Sequence, residues 1–251
     1  MLWSKNTGMR LIRLATFLFA SAALWAQTPA PNTPAQQTPA TPAPQPAPPA
    51  PRTPLILIDA AHGGADSGAV LGPALYEKDV TLAIARRLRQ DLTTRGIVCQ
   101  LVRDSDVGLS DDQRATVANS IAPSLYLVIH ASSMGTGLRL FSAMLPVSQD
   151  SRGVFLDWQT AQASSLDYSK TVQQQLTASI QNIGFPVRSL IAPLRPLNNI
   201  KFPALAVEVA PTTSDVAQLG TGNYQDMVSA ALANAFASLN PPLRQATGST
   251  P

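Results

Sequence analysis

LILIDAAHGGADSG, residues 55–68, opens on an unbroken apolar run and ends in a histidine set among glycines. The run has strand length, and its apolar residues are continuous rather than alternating, so it reads as a β-strand covered on both faces. Gly63, Gly64 and Gly68 let the backbone turn sharply beyond it and approach a ligand without side-chain interference. Such a strand needs neighbours of its own kind. IVCQLV (97–102), LYLVIHA (125–131), LRLFSAM (138–144) and ALAVEVA (204–210) supply them.

Helical spacing fills the intervals between these runs. From Glu77, Val80, Ile84, Leu88 and Leu92 recur on one face and Gly96 supplies the stop. Ser110 and Gln113 have the spacing of a capping box, with Ala118 and Ile121 continuing that helix. Val172, Leu176, Ile180 and Ile183 mark a third helix closed by Gly184. Met227, Val228, Ala231, Leu232, Ala235, Phe236 and Leu239 mark a fourth. Strands interleaved with helices predict a three-layer α/β domain over residues 55–239, with no internal repeat.

The flanks differ in composition. Lys5, Arg10 and Arg13 precede the apolar run LATFLFASAALW (14–25), so Met1–Ala26 reads as a secretory signal and the expected location is periplasmic or secreted. Leu24, three residues before a cut after Ala26, is larger than such sites favour, which leaves a retained anchor as the alternative; Met9 is a second candidate start. Residues 27–54 contain 11 prolines in 28 positions and read as an extended tether. The tail 240–251 has the composition of a disordered end.

The formal charge of +3 comes from the signal, which holds three of the 18 Lys and Arg residues and none of the 15 acidic ones. The remainder is neutral and has no basic footprint, which excludes a nucleic-acid partner. The single cysteine, Cys99, rules out an intrachain disulfide and lies in an apolar run, where it reads as a small buried hydrophobe.

Chemistry concentrates in four residues. The chain has two histidines, His62 and His130, and two glutamates, Glu77 and Glu208. His62 follows the first strand, and His130 and Glu208 sit near the ends of two others. Glu77 opens the first long helix. In open α/β sheets the carboxyl ends of strands are where ligands bind. Two imidazoles and one carboxylate form a catalytic-zinc ligand set with a position left for water, and a further carboxylate is needed to move the proton. Each residue taken alone has a plainer explanation: a hydrogen-bonded histidine, an acid favoured by a helix dipole, a buried partner of an arginine. Together, with no other His or Glu in the chain, they point to a metal hydrolase.

DAAHGGADSG (59–68), YEKD (76–79), VIHAS (128–132) and PALAVEV (203–209), in that order, closely resemble the zinc-dependent N-acetylmuramoyl-L-alanine amidases of the type 3 family. The resemblance spans the whole domain and takes in LVRDSD (101–106). It implies a phosphorylase/hydrolase-like α/β fold with a mixed central sheet flanked by helices. It implies that His62, Glu77 and His130 bind Zn2+ and that Glu208 is catalytic. It further implies peptidoglycan as substrate, cut at the amide between the lactyl group of N-acetylmuramic acid and L-alanine. Some members carry an inhibitory helix between the second histidine and the last glutamate; here 145–163 has room for only a short one.

The chain departs from the family pattern at Ala60 and Ala61, where Pro-Gly is usual, at Ser132, where Asn is common, and at VAPTTS (209–214), where a Gly-Phe and Asn turn is favoured. None of these replaces a ligand or the base. They motivate a rival reading, a wall-binding or regulatory module without turnover; a zinc peptidase acting on stem peptides is the second rival. Neither an activator protein nor an oligomeric state is legible in these residues. Around the site, Arg103 and Asp104 read as structural, pairing or capping a loop. Asp59 and Asp66 read as turn formers or supports for the imidazoles. Arg195 reads either as a surface residue or as a partner for a substrate carboxylate.

Overall fold

A computed structural model describes residues 53–145 and 160–244. The signal at 1–26, nearly all of the tether at 27–54, most of a plug at 145–163 and the end of the tail at 240–251 therefore lie outside the described residues.

The described residues form eight strands and four α-helices, with the helices interleaved among the strands. The strands are β1 (Leu55–Ala60), β2 (Val70–Gly72), β3 (Leu75–Tyr76), β4 (Val98–Leu101), β5 (Leu125–Ala131), β6 (Gly137–Ala143), β7 (Val187–Ala192) and β8 (Ala204–Ala210). The helices are α1 (Glu77–Thr94), α2 (Asp111–Ile121), α3 (Leu166–Asn182) and α4 (Gly222–Ala237). Six strands form the main sheet in the order β4-β1-β5-β8-β6-β7, and β2 with β3 makes a separate hairpin. The first four are parallel; β6 runs antiparallel to β8, and β7 parallel to β6. The sheet is mixed, as the resemblance implied.

Alternation along the central strands assigns side chains to two covered faces. Ile56, Ile58, Leu125, Leu127, Ile129, Leu205 and Val207 share a core with α1, α3 and α4. Leu57, Tyr126, Val128, Ala204 and Ala206 pack on the other face with Ala115 and Ala118 of α2 and with Leu197 and Ile200. Burial on both sides is why β1, β5 and β8 read as unbroken apolar runs. The edge strand β4 departs from that expectation: its burial alternates, and Val98 is 46 % exposed.

Helix ends follow their local chemistry. Gly96 and Gly184 adopt φ of 74° and 76°, and the following N–H groups of Ile97 and Phe185 close back onto Leu92 and Ile180. Ser110 and Gln113 make both bonds of a capping box. Two residues placed on apolar faces by spacing are exposed instead: Ile183 lies just past the end of α3, and Met227 faces solvent from α4. Phe185 takes the core position beyond α3. At the start of the tail, the Asn240 and Arg244 N–H groups bond Gln175 and Tyr168 of α3.

The topology fixes where a ligand must go. The chain leaves β1 through α1 to β4 on one side, then returns through α2 to β5 on the other. This divergence opens a crevice at the carboxyl ends of β1 and β5.

Candidate metal centre

His62, Glu77 and His130 converge on that crevice, with one potential ligand atom from each lying within 4.8 Å of the others. His62 stands just past β1, Glu77 at the first position of α1, and His130 near the end of β5. His62 Nε2 lies 3.2 Å from Glu77 Oε2, and His130 Nδ1 lies 2.9 Å from Glu77 Oε1. The two imidazoles meet edge to face with centroids 5.5 Å apart. Backbone N–H groups of Ala69 and Ala131 donate to the two Glu77 oxygens at 3.0 and 3.2 Å, so the carboxylate is fixed from both ends.

The electrostatics favour positive charge between these groups. Burial opposes charge on Glu77, but bonds from His130, His62 and the Ala69 N–H outweigh it and hold the carboxyl far below its usual range. The Glu77 hydrogen bond raises His62 to about 9 against the opposing effect of burial, with Asp66 adding to the rise. A field that stabilises an imidazolium there also favours a divalent cation. The donor set of two imidazoles and one carboxylate fits zinc with a position left for water.

The loop presenting His62 is braced on all sides. Asp66 Oδ2 takes the His62 Nδ1 hydrogen at 2.8 Å, leaving Nε2 toward Glu77, while Asp66 Oδ1 accepts from the Gly68 N–H. Asp66 thus serves both as turn former and as support for an imidazole. Lys78 Nζ donates to the Gly64 carbonyl and to Asp106, whose other oxygen accepts from the Gly64 N–H. Buried Arg103 donates to the carbonyls of Ala60, Ala61 and Lys78. Asp104 does not pair with it, bonding instead to Arg86 and Arg89.

Asp59 proves to be remote from the role of imidazole support. It is fully buried on the α2 face, where Arg114 and Tyr126 bond its two oxygens. Arg114 also donates to the His62 carbonyl at 2.7 Å, holding the residue whose φ of 64° is unusual for a side chain with a Cβ. Cys99 is half-buried between Thr93 and Arg89, and burial pushes its thiol pKa up, which suits a packing role rather than a nucleophile.

Glu208 stands beside the candidate ligands, outside their cluster. On β8 it is the register partner of His130 on β5 and of Arg139 on β6. Arg139 Nη2 donates to Glu208 Oε1 at 2.6 Å. Next to the histidines a cleft of about 300 Å3 is lined by His62, His130, Ser110, Asp111, Arg114 and Arg195. Arg195 is exposed and lines the same cleft as the two imidazoles.

Arg114, Lys78, Asp106 and Arg139 were not marked by the sequence reading. Two of them carried a signal: Arg139 is a lone cation inside an apolar strand run, and Arg114 follows a capping box on a face that must be buried.

Gly68 offers a local test of the cradle. A Cβ built there lies 2.6 Å from His62 Cδ2 and 2.8 Å from both Glu77 Cβ and Oε2, at a φ of 64°. Gly68→Ala is expected to weaken zinc affinity by roughly tenfold to a hundredfold, the range for disturbed ligand support. Competition against a chelator measures it, and wild-type affinity would show that the cradle is not close-fitting.

The family model described as N-acetylmuramoyl-L-alanine amidase matches residues 56–238. The germination-specific N-acetylmuramoyl-L-alanine amidase of Bacillus subtilis is 27 % identical over 194 residues, covering 71 % of this chain and 76 % of the relative. N-acetylmuramoyl-L-alanine amidase LytC of the same organism is 30 % identical over 70 % of this chain, which spans 34 % of that longer relative. Among solved structures, AmiC2 of Nostoc punctiforme superposes with a TM-score of 0.56 at 26 % identity, over 72 % of this chain and 94 % of that one. The CwlV catalytic domain from Bacillus (Paenibacillus) polymyxa gives 0.57 at 23 % identity, over 73 % and 96 %, a likeness of fold.

Proposed function

The chain belongs to the N-acetylmuramoyl-L-alanine amidase family and is by that membership a peptidoglycan amidase, and from this premise we propose that it is zinc-dependent, with the metal on His62, Glu77 and His130 and Glu208 as the proton shuttle. The observation that carries the reading is the convergence of those three ligand atoms within 4.8 Å, beside a fourth residue in register with one of them.

When bound, zinc polarises the amide carbonyl and makes water nucleophilic at neutral pH. The chain's own residues do the rest. Glu208 takes a proton from the attacking water and returns it to the departing nitrogen. The bond that breaks joins the lactyl carbonyl of N-acetylmuramic acid to the nitrogen of L-alanine, leaving a carboxyl on the glycan and a free amine on the stem. Asp66 orients the His62 imidazole through Nδ1, and Arg195 meets a carboxylate of the stem peptide in the cleft. Residues 1–26 direct export to the periplasm or beyond, and residues 27–54 tether the domain.

Digestion of purified cell wall, followed by mass spectrometry of the released pieces, tests the reaction. Stem peptides with a free L-alanine amine are expected. Shortened stems still on the glycan would make the chain a peptidase, and no release would make it a wall-binding module. Metal analysis should find about one zinc per chain, and a metal-stripped protein that still digests wall would overturn zinc dependence.

A further inference from the structure

We propose that Arg139 is a positioning residue for the amidase reaction, fixing the Glu208 carboxylate by one oxygen so that the other is presented to water and substrate. The inference rests on the reading of Glu208 as proton shuttle and extends it to a residue that touches neither metal nor substrate.

Three adjacent strands place the relevant groups in one row. His130, Glu208 and Arg139 are register partners across β5, β8 and β6, so their side chains share a face of the sheet. Reversal of β6 brings position 139 opposite 208. Arg139 and Glu208 are 22 % and 24 % exposed, poised between core and cleft, and Nη2 meets Oε1 at 2.6 Å.

The guanidinium is itself held. Nη2 also donates to the Met134 carbonyl at 2.8 Å, in the loop that follows His130. Gly135, at a φ of 93°, lets that loop close over it: a Cβ there would lie 2.6 Å from Nη1 and 3.0 Å from Cζ. Nε is buried and has no hydrogen-bond partner. An arginine that leaves a buried donor unsatisfied while two other contacts fix its tip is placed for what the tip holds. Among the described residues, Arg139 is the partner found for the Glu208 carboxylate.

A general base acts only in the correct orientation. Anchored by Oε1 alone, Glu208 keeps Oε2 free to accept and return a proton. Without Arg139 the side chain samples other rotamers, so turnover falls while substrate contacts persist.

The test uses the full chain, soluble peptidoglycan fragments and four variants: Arg139→Met, Arg139→Lys, Glu208→Gln and the double variant Arg139→Met with Glu208→Gln. Arg139→Met is expected to lower kcat roughly tenfold to a hundredfold, as for a lost outer support of a reacting group, with KM, zinc content and melting temperature near wild type. Arg139→Lys should recover part of the loss. In the Glu208→Gln background Arg139→Met should remove nothing further, because the group it positions is gone.

Wild-type kcat in Arg139→Met, or equal losses in both backgrounds, would overturn the inference. Should Arg139→Met fail to fold, Gly135→Ala displaces the guanidinium from the loop side, and an unchanged kcat there would overturn it equally. A fully active Glu208→Gln would remove the reading of Glu208 itself. An inactive Glu208→Gln beside a fully active Arg139→Met would remove only the role of Arg139.

Discussion

Glu208→Gln is expected to keep its zinc and lose turnover by roughly two to four orders of magnitude, the range for lost general acid–base help. Glutamine nearly matches the shape of glutamate and still accepts a hydrogen bond from Arg139, so the row across β5, β8 and β6 persists. It cannot take the proton from water. Glu208 lies outside the group of ligand atoms formed by His62, Glu77 and His130, so the metal should be indifferent to the change. His62→Ala or His130→Ala removes one of the three proposed ligands and should lose metal and activity together. The two classes of variant therefore agree in being inactive and differ in zinc content. Metal analysis with single-turnover assays on the same preparations reads both. Full activity in Glu208→Gln would refute the shuttle, and loss of zinc from it would make Glu208 a ligand.

The sequence singled out the candidate ligands because the chain is sparing with such residues. With two histidines and two glutamates, each at a strand or helix end, position and residue type pointed to one place. The central strands were legible for a related reason: covered on both faces, β1, β5 and β8 are apolar through most of their length, with Asp59, His130 and Glu208 standing near their ends. β7 was missed because it is an edge strand whose Arg188, Ser189, Leu190 and Ile191 are exposed, so burial imposes no pattern on it. The β2–β3 hairpin is too short to have a period. The residues that brace the site were hidden because they act across long separations. Arg103 reaches back to Ala60 and Arg114 to His62, contacts that exist only once α1 and α2 have been laid on opposite faces. Pair spacing along the chain also misled: Arg103 and Asp104 are neighbours in sequence, but their side chains diverge to different partners.

Arg114→Met is expected to destabilise the domain by about 3–5 kcal/mol, the usual cost of removing one partner from a buried ion pair. For a domain of this size each kcal/mol moves the melting temperature by roughly 2–4 °C, so the loss is on the order of 10 °C. Asp59 is fully buried and Arg114 is 3 % exposed, so solvent does little to screen the Asp59 charge left unpaired. Burial already raises the Asp59 pKa, with Arg114 and the Tyr126 hydroxyl holding it back. Without Arg114 it rises further. The sign of the pH dependence follows from linkage: an acid with a raised native pKa favours the folded state below its unfolded value of 3.8, and that benefit is lost as pH climbs through the native value. The deficit of Arg114→Met against wild type should therefore shrink toward pH 4 and widen toward pH 8, as melting of metal-stripped proteins will show. A deficit independent of pH would mean that Asp59 is not the group left uncompensated. Replacing the cluster as a whole, with Asp59→Leu, Arg114→Met and Tyr126→Phe, should recover much of the stability, since no buried charge then lacks a partner. It should not recover zinc affinity, because the bond from Arg114 to the His62 carbonyl is lost in both variants. Stability restored without metal affinity would show that Arg114 serves the site through the backbone of a ligand.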